Sequence, residues 1–277
     1  MWYNWCMKKI IKYVVLVIVL ISGVVLSSYG IIKIVGVINK RNKLDSSLYE
    51  VKSTNLNSEY DDKMIFISGS LILKNTLKDD MFDVSVTGSK LERVVEMYQY
   101  SERVDDENAE SYIYETDWYP YLIDSSKFAS DGFDNPKSMK FDGMKYYNDT
   151  YLGVYKLSNG DIDSLDTKSR YLDLDEKIAS KYGLKIDGEY YTSSDDVDTP
   201  KVGDIRISFR YNSGSFVSII GSKKGNTLEN TRIYNERLSK DEMIKKMYPF
   251  SKWYVFSLIS GITLIIIFVI VRGVKHE

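Results

Sequence analysis

Two long apolar stretches lie near the ends of the chain, and the residues between them alternate between apolar and polar over short distances. The first stretch has twenty uncharged residues between Lys12 and Lys33, and the second has nineteen between Lys252 and Arg272. About 20 residues of α-helix cross the ~30 Å hydrocarbon layer of a membrane, so each stretch can span it once. The pattern predicts, in order, a tail at 1–12, a transmembrane helix at 13–38, a β-rich domain at 44–238, a juxtamembrane amphipathic helix at 239–249, a transmembrane helix at 253–271 and a tail at 272–277.

The main alternative for the first stretch is a cleavable signal peptide. Its apolar part is longer than the usual 7–15 residues, and no Ala-x-Ala cleavage site follows it, so we expect a retained anchor. Within it, Gly23 and Ser27 form a small-xxx-small pair that allows a second helix to approach closely. The partner is either the second span, around Ser260 and Gly261, or the same helix in another copy of the chain.

The middle of the chain is predicted to be mainly β-strand. A β-rich segment over 63–73 contains Gly69, which we interpret as a bulge or a bend. Residues 203–222 alternate between apolar and polar on both sides of an Asn-Ser-Gly sequence, which predicts a hairpin. Residues 146–158 predict another pair of strands about an Asn-Asp dipeptide.

Two shorter segments have the pattern of helices. Residues 173–183 carry acidic residues early and end at Gly183, a residue typical of a helix C-terminus. Residues 239–249 begin with a capping box formed by Ser239 and Glu242 and have one apolar face. The second helix either lies on the bilayer surface or docks on the domain.

The segment Lys90–Glu102 fits both an amphipathic helix and a strand. We favour a strand over 91–103, because the tyrosine-rich strand that follows it needs a neighbour. The two would form a long hairpin that closes near Asp106-Glu107 and places aromatic residues opposite one another. The candidate framework or interaction residues are Tyr98, Tyr100, Tyr112, Tyr114 and Trp118.

Charge is distributed unevenly along the chain. The net charge is −2, but residues 44–252 hold 28 Lys and Arg against 38 Asp and Glu, whereas the remainder is strongly basic. An acidic domain of this kind lacks the clustered basic face that nucleic-acid binding requires. An acidic domain behind an N-terminal anchor is expected to lie outside the cytoplasm, with the lipid bilayer as one partner of the chain.

Residue types that carry common enzyme chemistry are scarce. The only histidine is His276 and the only cysteine is Cys6, so the middle domain holds no Ser-His-Asp triad and no His or Cys ligand for zinc. Carboxylate chemistry and cation binding stay open, because acidic residues cluster at 105–110, 131–135, 161–166 and 193–198. None of these clusters matches a calcium-loop pattern, and we interpret them as solvated turns. We therefore expect no catalytic residue, no cofactor and no metal.

Several short motifs, in order along nearly the whole chain, resemble one family of membrane proteins. They include IFISGSL (65–71), VEMYQY (95–100), YIYETDWYPYLIDSSKF (112–128), VGDIRISFRY (202–211) and VSIIGSKKGNTL (217–228). On these motifs the chain resembles the transmembrane protein 43 family, also called LUMA. The resemblance implies an N-terminal span, a large luminal or extracytoplasmic domain and C-terminal spans.

The same resemblance implies a scaffold-like role and no catalysis. Eukaryotic members of the family reside in the endoplasmic reticulum and inner nuclear membrane, self-associate, and bind envelope proteins such as emerin and lamins. The present chain ends shortly after its second span, and its composition suits a bacterial member in the cell membrane. We therefore expect a non-catalytic scaffold that binds itself or another membrane protein. The alternative is a membrane-tethered sensor of a small ligand or cation that acts through a partner.

Overall fold

The computed structural model describes residues 2–106, 111–214 and 216–273, and it contains a β-rich domain between an N-terminal and a C-terminal apolar helix. This is the fold class predicted from the sequence. The chain divides into two compact units, a helical one and a β-rich one that runs from Glu50 to Arg237. The α-helices in the described residues are α1 (Trp2–Ser47), α2 (Asn159–Asp163), α3 (Glu176–Tyr182), α4 (Lys240–Met247) and α5 (Lys252–Gly273).

The helical unit consists of α1, α4 and α5, and α1 packs against both of the others. Helix α1 has 46 residues and is therefore roughly 70 Å long, more than twice the thickness of a hydrocarbon layer. It continues past residue 38, the predicted end of the first span, because no proline interrupts it. Both α1 and α5 are long and apolar enough to cross a membrane.

Helix α4 begins with the capping box predicted from the sequence. The Ser239 hydroxyl accepts the Glu242 backbone N–H, and the Glu242 carboxylate accepts the Ser239 backbone N–H. Its apolar residues Met243 and Ile244 are buried, and the helix lies against α1. A helix resting on a bilayer would expose these side chains to lipid, so α4 is a packed element of the helical unit.

The β-rich unit contains two larger sheets and one small hairpin. The first sheet has the order β1-β2-β14-β15-β9-β8, and β8 also pairs with β2, which closes all of these strands except β1 into a ring. The second has the order β11-β12-β13-β5-β6, with β10 paired to β13 and β7 paired to β5. The strands are β1 (Tyr49–Glu50), β2 (Met64–Leu73), β3 (Leu77–Asp79), β4 (Val84–Val86), β5 (Lys90–Val104), β6 (Tyr112–Tyr119), β7 (Met144–Tyr147), β8 (Thr150–Leu152), β9 (Tyr155–Lys156), β10 (Ser169–Arg170), β11 (Lys185–Asp187), β12 (Tyr190–Thr192), β13 (Ile205–Asn212), β14 (Phe216–Lys224) and β15 (Thr227–Tyr234).

The predicted hairpin over 203–222 is wrong, although both of its strands exist. Strand β13 pairs with β5 and β12 in the second sheet, whereas β14 pairs with β2 and β15 in the first. The chain crosses from one sheet to the other at Gly214, whose φ of 76° suits glycine. Each strand thereby gains a partner on both edges. Local alternation of apolar and polar residues is the same in a hairpin and in such a crossing.

The predicted strand pair over 146–158 is wrong for the same reason. Strand β7 pairs with β5, and β8 pairs with β2 and β9, so the Asn-Asp dipeptide marks another crossing between sheets. The buried side chain of Asn148 fixes the crossing, because its amide donates to the Gly88 carbonyl at 3.0 Å and its oxygen accepts the Asn75 N–H at 3.1 Å. The local hairpin is β8–β9, which turns at Gly153.

The predicted bulge at Gly69 is also wrong. Strand β2 pairs with β14 in one continuous register from Met64 to Ser70, with Gly69 opposite Val217. A Cβ atom on Gly69 would lie 3.0 Å from a methyl group of Leu152. The glycine therefore serves close packing of neighbouring strands.

Other predictions are confirmed. The ambiguous segment 91–103 is a strand, because β5 extends from Lys90 to Val104 and forms a long antiparallel hairpin with β6. The inner face of β5 carries buried residues such as Leu91 and Val95 into the core of the second sheet. The helix predicted over 173–183 is α3, and Gly183 ends it in the left-handed conformation with φ 69°.

Candidate interaction surfaces

The five aromatic residues singled out from the sequence lie on one face of the β5–β6 hairpin. We call residues 98–104 and 112–119 the aromatic hairpin; its register runs from Tyr98 opposite Trp118 to Val104 opposite Tyr112. Alternate residues of a strand project to the same face, and the register sets even-numbered residues opposite each other. The face they share is the one opposite the buried Met97 and Gln99. The predicted closing turn falls partly on residues outside the described part of the chain.

At one end of this face, Tyr98 and Trp118 form the predicted aromatic cross-strand pair. Their ring centroids are 5.4 Å apart in an edge-to-face arrangement. The guanidinium of Arg206 lies 4.6 Å from the Trp118 ring and 4.9 Å from the Tyr190 ring, and its Nε donates to Glu96 at 2.7 Å. This row of stacked and charge-paired side chains holds the outer strand to the centre of the sheet.

At the other end, Tyr100 and Tyr114 are covered by the loop that follows β6. The Phe133 ring stacks on Tyr114 with centroids 3.8 Å apart and meets Tyr100 edge-on at 5.3 Å. The Tyr114 hydroxyl donates to the Glu102 carboxylate at 2.6 Å. Burial and this hydrogen bond to a carboxylate raise the pKa of Tyr114, which stays protonated as the donor. These contacts pack both tyrosines against the loop within the domain.

The same loop satisfies the edge of β5 beyond its partner β13. The last backbone contact on that side joins the Gly203 N–H to the Tyr98 carbonyl at 2.9 Å. Next, the Asn135 amide accepts the Tyr100 N–H at 2.8 Å and donates to the Tyr100 carbonyl at 2.9 Å. One side chain thus takes the place of a neighbouring strand. Sequence reasoning missed Phe133 and Asn135, because they lie in the 131–135 cluster that was interpreted as a solvated acidic turn.

As far as the structure describes it, the tip of the aromatic hairpin ends in an exposed pair of side chains. Val104 and Tyr112 face each other there with exposures of 48% and 45%, next to the acidic closing turn. After the opposite end of β6, Tyr121 and Leu122 are 60% and 43% exposed. In the residues that the structure describes, β6 pairs with β5 alone, so its outer backbone edge carries no strand. Such an edge with neighbouring apolar side chains is a typical surface for strand addition.

A surface cavity of about 700 Å³ lies in the loop next to the aromatic hairpin. Its lining includes Ile123, Asp124 and Lys137. Asp124 already pairs with Lys127 at 3.2 Å and accepts from the Ser126 hydroxyl, and these bonds lower the pKa of Asp124. The cavity can hold a small polar molecule, but one of the two carboxylates that line it, that of Asp124, is already engaged within the protein.

The acidic clusters serve mainly internal contacts. Asp163 accepts from Lys90 and Lys145, each at 3.2 Å, and Asp195 pairs with Lys185. Over the described residues, no three Asp, Glu, His or Cys side chains converge as a metal site would need. The single histidine, His276, and the last four residues of the 105–110 cluster lie outside the described residues.

In the helical unit, the small residues predicted for helix packing lie at the crossing of α1 and α5. A Cβ atom on Gly261 would come 2.6 Å from the Gly23 carbonyl and would also clash with the Ser27 backbone, so the two helices touch there through backbone atoms. The Ser27 hydroxyl donates within its own helix to the Gly23 carbonyl at 2.8 Å. Ser260 is half-buried beside this contact. The partner of the first span is thus the second span of the same chain.

Two further contacts at this crossing were missed from the sequence. The Ser257 hydroxyl donates across the interface to the Leu26 carbonyl at 2.8 Å. A Cβ atom on Gly30 would lie 2.8 Å from the Tyr254 carbonyl. Gly30 lies two helical turns after Gly23 and one turn after Ser27, so all three residues are on one face of α1. This spacing could have identified Gly30 as a packing residue from the sequence.

The contacts also fix the relative level of the two helices. Gly23 meets Gly261 and Gly30 meets Tyr254, so the helices run antiparallel. Continuing this register by one residue on each helix at a time places Lys12 level with Arg272, and Lys33 level with Ser251, one residue from Lys252. The uncharged segments of the two helices therefore begin and end within one residue of the same heights.

Comparison with known proteins places these features in a family. A family model described as transmembrane protein 43 matches residues 95–273. The chain is 24% identical to the transmembrane protein 43 homolog of Drosophila melanogaster over 201 residues, which cover 66% of this chain and 53% of the relative. It is 29% identical to human transmembrane protein 43 over 164 residues, which cover 55% of this chain and 41% of the relative. The chain thus spans about half the length of the curated relatives that it matches. No solved structure shows significant similarity.

Proposed function

Since the chain belongs to the transmembrane protein 43 family and is an integral membrane protein, we propose that it is a non-catalytic scaffold that binds itself or another membrane protein. The observation that carries the proposal is the exposed tip and outer edge of the aromatic hairpin. Ring stacking and the Asn135 clamp hold this surface in place before binding, which lowers the entropy cost of association.

The contact surface has the chemistry of a protein interface. Val104 and Tyr112 offer apolar and amphipathic area at the tip, and aromatic residues are enriched at the energetic centres of interfaces. The outer edge of β6 offers backbone N–H and C=O groups to an added strand. By contrast, Tyr98, Tyr100, Tyr114 and Trp118 support this surface from within the hairpin.

We expect a photo-crosslinking amino acid placed at Tyr112 to yield a discrete crosslinked partner in intact membranes. The matched control is the same amino acid at Leu172, which is 66% exposed in a different part of the domain. Crosslinked species identified by mass spectrometry should appear for Tyr112 and be at least several-fold weaker for Leu172. A second copy of the chain or another membrane protein as the partner would each support the scaffold role.

Equal crosslinking at the two positions, or none at either, would contradict that role. The alternative is a membrane-tethered sensor of a small ligand or cation, which the cavity lined by Ile123, Asp124 and Lys137 supports. Lack of crosslinking together with a ligand that raises the unfolding temperature of the protein would favour the sensor.

We further propose that the β-rich unit lies outside the cytoplasm, because residues 50–237 carry 24 Lys and Arg against 35 Asp and Glu. In a Cys6→Ser background, a Leu172→Cys variant should react with a membrane-impermeant thiol reagent in intact cells. The same variant in lysed cells gives the full extent of labelling as a control. No labelling in intact cells but full labelling after digitonin, which opens the cell membrane and leaves internal membranes sealed, would place the domain on the cytoplasmic side.

A further inference from the structure

Five cationic side chains surround the helix ends that connect to the β-rich unit. We call Lys33, Lys40, Arg41, Lys43 and Lys252 the juxtamembrane collar. Lys33 and Lys252 lie within one residue of the same level at the end of the two apolar segments, and the other three follow within three turns of α1. A rise of 1.5 Å per residue places the backbone of these three about 10–15 Å beyond Lys33, just outside a headgroup layer about 5–8 Å deep, which their long side chains can reach.

No carboxylate in the described part of the chain compensates the charge of the juxtamembrane collar. None of the five cations lies within ion-pair distance of a described carboxylate. The three nearby carboxylates are engaged elsewhere: Asp45 pairs with Lys240, Asp241 pairs with Lys245, and Glu242 caps α4. Five uncompensated positive charges are thus left for an external anion.

Arg41 is held in position by α4 and the residues after it. Its Nε donates to the Tyr248 carbonyl at 2.9 Å, and its guanidinium lies 4.3 Å from the Phe250 ring centroid. The remaining N–H groups of a guanidinium match the oxygens of a phosphate. A fixed arginine among flexible lysines gives the juxtamembrane collar one oriented donor.

Apolar side chains next to the juxtamembrane collar indicate what kind of anion fits. Leu26 and Tyr29 lie two turns and one turn before Lys33 on α1 and are 37% and 47% exposed. This stripe lies on the hydrocarbon side of Lys33 and shares the helix face of Lys33 and Lys40, which are spaced at i and i+7. A phospholipid presents both a phosphate for the cations and apolar chains for the stripe, whereas a free anion presents the charge alone.

We propose that the juxtamembrane collar is a binding site for anionic phospholipids, with the headgroup phosphates on the lysines and Arg41 and the acyl chains against α1 and α5. The site goes beyond the proposed scaffold role and does not depend on it. Each lysine near an anionic membrane surface contributes about fivefold in affinity, since ~1 kcal/mol per residue is typical.

The test uses the full-length protein in detergent, with native mass spectrometry to count bound lipids. We expect phosphatidylglycerol to bind at least tenfold more tightly than phosphatidylcholine. The triple variant Lys33→Gln/Lys40→Gln/Lys43→Gln should lose this preference, because its affinity for phosphatidylglycerol should fall by up to about a hundredfold. The control variant Lys137→Gln/Lys177→Gln/Lys201→Gln changes charge equally, at exposed sites of the β-rich unit, and should bind like the wild type.

Two further measurements, competition by inorganic phosphate and dependence on ionic strength, test what kind of anion binds. Inorganic phosphate should fail to displace phosphatidylglycerol; efficient displacement would show a site for free anions and overturn the proposal. On the wild-type chain, a roughly tenfold rise in ionic strength should weaken phosphatidylglycerol binding and leave phosphatidylcholine unchanged. Equal affinity for the two lipids, or an equal loss of phosphatidylglycerol binding in both triple variants, would also overturn the proposal. If the glutamine variant does not fold, the variant with arginine at the same three positions, Lys33, Lys40 and Lys43, should bind phosphatidylglycerol like the wild type.

Discussion

Replacing Asp79 with asparagine is expected to lower the free energy of unfolding of the β-rich unit by about 3–5 kcal/mol. Asp79 is fully buried and receives Arg93 Nη1 on both oxygens, at 2.9 and 3.0 Å. It also accepts the Phe82 N–H at 3.1 Å and the Tyr146 hydroxyl at 3.1 Å. Asparagine keeps the shape but removes the negative charge, so the Arg93 guanidinium stays buried without its counterion.

The measurement is urea unfolding of the full chain in detergent, followed by tryptophan fluorescence. The matched control is Asp80→Asn, one residue along the chain, where an 87% exposed carboxylate pairs with Lys78 at 3.2 Å. Exposed pairs contribute about 0–1 kcal/mol, so the control should unfold near the wild-type midpoint. Similar small effects of the two variants would mean that the buried Arg93–Asp79 pair does not hold the second sheet and the β3–β4 hairpin together.

Replacing Gly261 with alanine is expected to weaken the packing of α1 and α5 by about 1–3 kcal/mol. The added methyl group would meet backbone atoms of Gly23 and Ser27, which cannot rotate away, so the helices have to separate. Gly36→Ala is the matched control, because no atom lies within 4 Å of its added Cβ. At Gly36 the higher helix propensity of alanine should leave stability unchanged or raise it by up to ~1 kcal/mol.

Helix separation can be measured by crosslinking the two spans with a short bifunctional thiol reagent. In a Cys6→Ser background, cysteines at Tyr29 and Tyr254 replace rings whose centroids are 6.5 Å apart. Adding Gly261→Ala should slow crosslinking at least several-fold, and adding Gly36→Ala should not. If both substitutions slow it equally, the crossing point of the helices lies elsewhere.

Features that depend on local sequence could be predicted from the chain alone. The two apolar helices, the capping box of α4, the Gly183 cap and the strand at β5 all follow from patterns within about twenty residues. The small residues at the helix crossing belong to this group, because Gly23 and Gly261 each interrupt an apolar run in which a close approach is the simplest use of a glycine.

Features that depend on distant partners could not be predicted in the same way. The sequences around Ser213-Gly214 and Asn148-Asp149 have good turn residues, yet both mark crossings, because β13 and β7 find longer partners in β5. The candidate site shows the same limit. Tyr98 opposite Trp118 follows from the strand register, whereas the positions of Phe133 and Asn135 depend on how a long loop folds back over the hairpin.

The crossings between the sheets have a consequence for the order in which the protein folds during synthesis. Strand β2 meets its partner β14 about 150 residues later, as the contact between Ser68 and Ser218 shows. At about 5–20 residues per second, β2 waits roughly 8–30 s after it emerges from the ribosome. Both sheets lack a central strand, β14 in the first and β13 in the second, until residues 205–224 have been synthesised. The unpaired strands need protection from aggregation until then, so chains that terminate before residue 205 should be degraded or held by chaperones.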